Sequence, residues 1–221
     1  MAHPTPQSDP TSVVLRLRDL ASPGPEAPWL RELTVDLLPG LTWVIGDEGC
    51  GKTTLLRLLA GDLLPGRGSV ALGSACSGKD RAAYQAQVFW MDPRTEAHND
   101  ISPREFFQTM ASRRDAFDLR EALRLAEVFG LEEHLDKRLY MLSTGSRRKT
   151  WLAAAFASNA GLTLLDQPTA ALDGPSTREL MTLLQQQAGN PRRLWVVADY
   201  ETPCDLRPDV VWPLPPRPGH W

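Results

Sequence analysis

Apolar and polar residues along this chain fall into short blocks whose lengths separate strands from helices. Val13-Val14-Leu15-Arg16-Leu17 predicts a first strand. Leu33-Thr34-Val35-Asp36-Leu37 alternates like a second and ends at the Pro39-Gly40 turn. The run Leu41-Thr42-Trp43-Val44-Ile45 predicts a buried strand, and Thr54 to Ala60 a helix stopped by Gly61. A turn over Leu64 to Gly68 leads to a short strand, Ser69 to Leu72, and Gln87 to Trp90 predicts another.

The pattern then becomes helical. Ser102-Pro103-Arg104-Glu105 is a capping box with proline at the first helical position. Helices are predicted over Arg120 to Phe129, ending at Gly130, over Leu131 to Leu135, and over Ser146 to Ala157. Strand character returns at Leu162 to Leu165 and Leu194 to Val197. The chain is thus an α/β unit with a helical insert over about residues 93–160. Residues 1–11 are expected to form a disordered tail, 12–212 a single domain, and 213–221, with its four prolines, an irregular tail.

Composition narrows the function. The 221 residues carry a net charge of −3, which gives no electrostatic argument for nucleic-acid binding. No apolar run approaches the roughly 18–20 residues that cross a bilayer, and the first ten residues lack a signal-peptide core. A cytoplasmic protein is expected, reaching membranes through a partner. Three cysteines, Cys50, Cys76 and Cys204, give neither a disulfide framework nor metal-ligand spacing.

The segment between the buried strand and its helix carries the chemistry. Gly46-Asp47-Glu48-Gly49-Cys50-Gly51-Lys52-Thr53 is a phosphate-binding loop, G-x-x-x-x-G-K-[ST]. Its glycines let backbone N–H groups turn towards phosphate oxygens, and the following helix, from Thr54, adds positive dipole beneath them. Lys52 supplies a charge for the β- and γ-phosphates, and the Thr53 hydroxyl suits Mg²⁺. Cys50 is either a small residue in a tight loop or a reactive thiol at a helix N-terminus. Leu162 to Asp166 is an apolar strand ending in a carboxylate, which places Asp166 at the ligand edge of a parallel sheet, where such a group orders Mg²⁺.

A third element, Leu142-Ser143-Thr144-Gly145-Ser146-Arg147-Arg148-Lys149, makes a resemblance plain. With the phosphate loop, Asp166 and Ala171-Leu172-Asp173, it follows the order and spacing of an ATP-binding-cassette ATPase over about residues 12–201. The chain looks most like the nucleotide-binding subunit of a transporter, and its size resembles small exporter-type subunits. The resemblance implies a P-loop NTPase fold with a RecA-like core, an N-terminal antiparallel β-subdomain and the inserted α-helical subdomain. It implies ATP and Mg²⁺ as cofactors, a second cassette closing head to tail as a homodimer or heterodimer, and a transmembrane permease subunit docked around Trp90 to Glu105. Ser143 and Gly145 would then act on the partner's ATP, and Asp173 would lie in the loop crossing the interface. Arg147, Arg148 and Lys149 form either a solvated face or extra positive charge for phosphate.

Five positions depart from the family pattern. The usual Leu-Ser-Gly-Gly-Gln signature has Thr144 and Ser146 in place of a glycine and the glutamine. Gln167 stands where a glutamate normally activates water, and an amide is no general base near neutral pH. Tyr200 occupies the place of a γ-phosphate-contacting histidine, and Trp90 that of a glutamine linking Mg²⁺ to the transporter interface. Trp29 is the candidate for stacking on adenine, or else belongs to the core. The expectation is therefore an ATP-binding subunit with slowed hydrolysis. The alternative is an ATP-gated regulatory switch with little hydrolysis. A cassette acting on ribosomes or DNA fits the acidic balance and single cassette poorly.

Overall fold

The computed structural model describes residues 14–24 and 30–216. Trp29 and the expected N-terminal tail lie outside the described residues. Strands β1 (Leu15–Ala21), β2 (Leu33–Leu37), β4 (Arg67–Leu72) and β5 (Ala75–Cys76) form an antiparallel sheet in the order β2-β1-β4-β5. Strands β3 (Gly40–Ile45), β6 (Val88–Trp90), β7 (Leu162–Asp166), β8 (Leu194–Asp199) and β9 (Val210–Pro213) form a parallel sheet in the order β6-β7-β8-β3-β9. Helix α1 (Lys52–Ala60) follows β3, and α2 (Arg81–Ala86) precedes β6. Helices α3 (Pro103–Arg113), α4 (Leu119–Val128) and α5 (Thr144–Ala157) intervene between β6 and β7, and α6 (Gly174–Gln185) follows β7. This is the expected α/β architecture of a P-loop NTPase.

The central strands are mostly apolar because both faces of their sheet are covered. Leu41 and Trp43 of β3, Leu165 of β7, and Trp195 and Val197 of β8 pack with the helical side, including Phe106, Phe129 and Trp151. Val44, Leu162, Leu164, Leu194 and Val196 point the other way, onto α1 and the antiparallel sheet. The Phe106 and Trp151 rings meet edge to face at 4.9 Å. Arg193 ties the end of α5 to the start of β8 by donating to the carbonyls of Ala155, Phe156 and Ala160. Burial pulls this guanidinium down to about 10.

Several boundaries differ from the sequence expectation for identifiable reasons. The first strand continues past Leu17 because a register shift between Leu17 and Leu20 returns Leu20 to the core, and simple alternation fails at that bulge. Asp19 adopts φ 48° there. The tail expected from Pro213 is not irregular at its start: β9 runs on to Pro213, which pairs opposite Ile45, and Leu214 is buried beyond it. Proline is accepted because β9 is an edge strand. Helix α5 begins at Thr144 rather than near Ser146, because Ser143 caps it by accepting from Ser146 N. The short helix after Gly130 is a single 3₁₀ turn, Glu132–His134. The capping box at Ser102 forms as expected, with both reciprocal hydrogen bonds.

Candidate nucleotide site

The phosphate loop joins the C-terminal end of β3 to the N-terminus of α1. Gly49 and Gly51 take φ values of 73° and 94°, a left-handed conformation that strains any residue with a Cβ. Gly46 is required by contact, since a Cβ there would meet Cys50 Sγ at 2.5 Å. The Cys50 side chain is fully enclosed in the core beneath the loop, which favours the small-residue role over an open reactive thiol. Lys52, 5% exposed, donates from Nζ to the carbonyls of Gly46 at 2.5 Å and Asp47 at 2.9 Å. The same ammonium lies 4.4 Å from the centroid of the Tyr200 ring.

A cleft of about 350 Å³ opens above the loop. Its walls bring together Glu48, Gly49, Gly51, Lys52, Thr53, Thr54, Gln167 and Tyr200, all singled out by sequence. Arg94 also lines it and was not anticipated. Gly46 and Asp47 serve the site through their carbonyls to Lys52.

Asp166 lies at the end of β7, where Thr53 Oγ1 donates to its Oδ2 at 2.6 Å. Its other oxygen, Oδ1, is buried without a hydrogen-bond partner among the described residues. Burial pushes the carboxyl above its ordinary value, while Thr53, Arg148 and Lys52 pull it down and Asp92 raises it further. A threonine hydroxyl beside an unsatisfied buried carboxylate oxygen fits a hard, oxygen-seeking cation. Among the described residues no group of three or more His, Cys, Asp or Glu forms a ready metal cage. Mg²⁺ is characteristically held by one or two protein oxygens together with phosphate and water, and the Thr53 hydroxyl and Asp166 carboxylate offer such oxygens.

Gln167 follows directly, at φ 45°, a left-handed backbone for a residue that bears a Cβ. Its N–H donates to Ala198 O at 2.8 Å. Its carbonyl accepts from Arg148 Nη1 at 2.7 Å, and the Asp166 carbonyl accepts from the same nitrogen at 2.9 Å. Arg148 therefore fits neither reading of the basic run: it points inward from α5 and pins the turn that carries Asp166 and Gln167. Burial lowers the Arg148 guanidinium, against the pull of Asp166 and Asp199. Trp90 turns towards the core on the α1 side, and its buried indole N–H has no hydrogen-bond partner among the described residues.

Ser143, Gly145 and Asp173 do not line this cleft. Ser143 is the exposed N-cap of α5. Gly145 lies in the first turn of that helix, where a Cβ would meet Ala171 O at 2.4 Å. Asp173 caps α6 by accepting from Ser176 N at 2.8 Å, and it pairs with Lys149 Nζ at 2.5 Å. Those two interactions, Lys149 foremost, hold its carboxyl far below the usual range. The contacts of Lys149 and Gly145 pack the start of α5 against the segment that precedes α6. No local sequence pattern announces the inward turn of Arg148 or the placement of Arg94, because both are set by contacts distant along the chain.

A phosphate loop on a parallel sheet, with a carboxylate at the end of β7, one strand removed from β3, and a flanking antiparallel sheet, defines a nucleotide-binding domain of the P-loop NTPase class. Residues 30–170 match the family model described as ABC transporter, and the chain belongs to that family. The taurine import ATP-binding protein TauB of Pseudomonas syringae pv. tomato is 32% identical over 209 residues, covering 89% of this chain and 76% of that protein. The cytochrome c biogenesis ATP-binding export protein CcmA of Legionella pneumophila is 30% identical over 182 residues, covering 81% of this chain and 90% of that protein. The chain spans only 11% of a much longer relative, ATP-binding cassette sub-family A member 17 of Mus musculus. A putative ABC transporter ATP-binding protein from Pyrococcus furiosus shares the fold, with a TM-score of 0.74 at 24% identity, covering 91% of this chain and 97% of that one.

Proposed function

We propose that this chain is the ATP-binding subunit of a membrane transporter, working on the cytoplasmic face as a dimer of cassettes beneath a transmembrane permease subunit. Among the described residues no helix is long and apolar enough to cross a membrane, so the membrane contribution is assigned to the partner. Lys52 and the amides of residues 46–54 bind the phosphates. Thr53 and Asp166 hold Mg²⁺, which when bound neutralises charge on the phosphate oxygens. Ser143 and Gly145 face the partner cassette's nucleotide, and Asp173 stands at the interface between cassettes. Import and export subunits both occur among the relatives, and the proposal carries no direction of transport.

The observation that carries this reading is the Thr53–Asp166 contact beside the phosphate-loop cleft, with Gln167 in the cleft wall. Gln167 can orient water through its amide but takes no proton from it. Hydrolysis is therefore slow relative to binding. Tyr200 over Lys52 favours a second reading, an ATP-gated switch that regulates its partner through dimerisation with little hydrolysis. The central test is nucleotide affinity with and without Mg²⁺, together with identification of what co-purifies from native membranes. ATP binding that is lost in Lys52→Ala, with a permease in the purified complex, supports the transporter reading. Absence of ATP binding by the wild-type protein overturns both readings, and ATP binding with a non-transporter partner supports the switch.

A further inference from the structure

The phosphate cleft contains a cation that the family resemblance does not supply. Arg94 lies within a tight turn: its own N–H donates to Asp92 Oδ1 at 2.9 Å, and Thr95 N donates to Asp92 O at 2.9 Å. Pro93 stiffens the turn by fixing φ. The turn presents Arg94 to the same cleft as Gly51, Lys52 and Gln167. Arg94 is exposed, and its guanidinium has no hydrogen bond or ion pair among the described residues.

The two cations of the cleft thus differ in state. Lys52 is held by two loop carbonyls under the Tyr200 ring. Arg94 is uncommitted, and its planar fork of donors matches a phosphate group better than an ammonium does. The loop amides and the α1 N-terminus serve the inner phosphates. Arg94 lines the cleft together with Gln167, the residue that follows the carboxylate Asp166 at the end of β7. Tyr200, which also lines the cleft, brings no cationic side chain of its own to it.

We propose that Arg94 binds the γ-phosphate of ATP within its own cassette and makes the site selective for triphosphate over diphosphate. The inference rests on the ATP-binding reading above. It is tested by calorimetric titration of the wild-type protein, Arg94→Ala and Arg94→Lys with ATP and with ADP, each with Mg²⁺. Arg94→Ala is expected to weaken ATP binding by roughly ten-fold or more, the usual effect of losing a charged hydrogen bond, and to leave ADP binding within about two-fold. Arg94→Lys is expected to recover part of the ATP affinity, because charge is kept and the fork is lost. Unchanged ATP affinity in Arg94→Ala, or equal loss for both nucleotides, overturns the proposal. A wild-type protein that binds neither nucleotide overturns the ATP-binding reading itself, and this inference falls with it. Arg94 is exposed, and a matching thermal transition in both variants separates loss of contact from loss of fold.

Discussion

Thr53 Oγ1 donates a 2.6 Å hydrogen bond to Asp166 Oδ2, joining residues 113 positions apart at the ends of adjoining elements of the phosphate site. Only one carboxylate oxygen is satisfied by this contact. Asp166 Oδ1 stays buried without a partner among the described residues, an arrangement that costs free energy unless a cation or ordered water answers it. Asp166→Asn removes the charge while nearly preserving shape. It is expected to weaken the Mg²⁺ dependence of nucleotide binding by roughly 10–100-fold, the range seen when groups that support a metal are altered. A Mg²⁺ titration at fixed ATP, followed by fluorescence of a labelled nucleotide, reads this directly. An unchanged Mg²⁺ midpoint would remove Asp166 from the metal site.

Gln167 is held by its backbone from both sides, through Arg148 and Ala198, and the residue lines the cleft. Gln167→Glu alters the side chain alone and leaves the φ of 45° equally strained. A carboxylate there restores a group able to accept a proton from water. ATP turnover is expected to rise by roughly 10²–10⁴-fold, the usual contribution of a general base. The double variant Lys52→Ala, Gln167→Glu is expected to remain inactive. Steady-state phosphate release measures both. A Gln167→Glu protein no faster than wild type would favour the regulatory switch.

Much of this site was legible because its signals are local. A phosphate loop needs only eight adjacent residues, Gly46 to Thr53, and the strand before it and the helix after it are each set by their own periodicity. Asp166 was visible as the polar end of an apolar run. The capping box at Ser102 is equally local. What escaped detection depends on contacts between distant segments. Nothing near Arg148 indicates that its guanidinium reaches the carbonyls of Asp166 and Gln167 while Lys149, its neighbour, reaches Asp173. Pro213 signalled an irregular tail, yet an edge position needs no N–H from it, and the strand forms. The bulge near Asp19 hid half of β1 by breaking alternation. Gly145 fitted a signature turn, and the structure adds an intramolecular reason for it, the approach of Ala171 O.

The Arg148 contact predicts a stability effect distinct from catalysis. Arg148→Ala leaves the Asp166 and Gln167 carbonyls without their side-chain donor in a partly buried setting. The cost is expected to be about 1–2 kcal/mol, the lower part of the range for buried groups that lose a partner. Arg148→Lys is expected to fall between, since an ammonium on a thinner stem can still donate to one carbonyl. Urea denaturation reads the change as a lower midpoint at unchanged slope. An Arg148→Ala midpoint equal to wild type would mean that the turn bearing Gln167 is held without this side chain.

Asp173 gives a prediction with a defined pH dependence. Its carboxylate caps α6 and pairs with Lys149, and both interactions favour the charged form. The folded-state value is therefore depressed below the unfolded value of about 3.9. Below that value the unfolded chain binds the extra proton more readily than the folded one, so stability rises with pH through this window. The contribution of Asp173 is fully present above about pH 4 and is lost as pH falls towards the depressed folded value. Asp173→Asn keeps a good helix cap while removing the charge. It is expected to cost little at pH 7, because the carboxylate is half exposed and such pairs contribute weakly. Asp173→Ala removes the cap as well and is expected to cost about 1 kcal/mol. Thermal melts of the three proteins between pH 3 and pH 7 separate the two effects. The difference between wild type and Asp173→Asn should shrink at the acid end, whereas the difference between the Asn and Ala variants should persist. A wild-type advantage over Asp173→Asn that grows on acidification would show that the Lys149 pair is not what holds this carboxyl low.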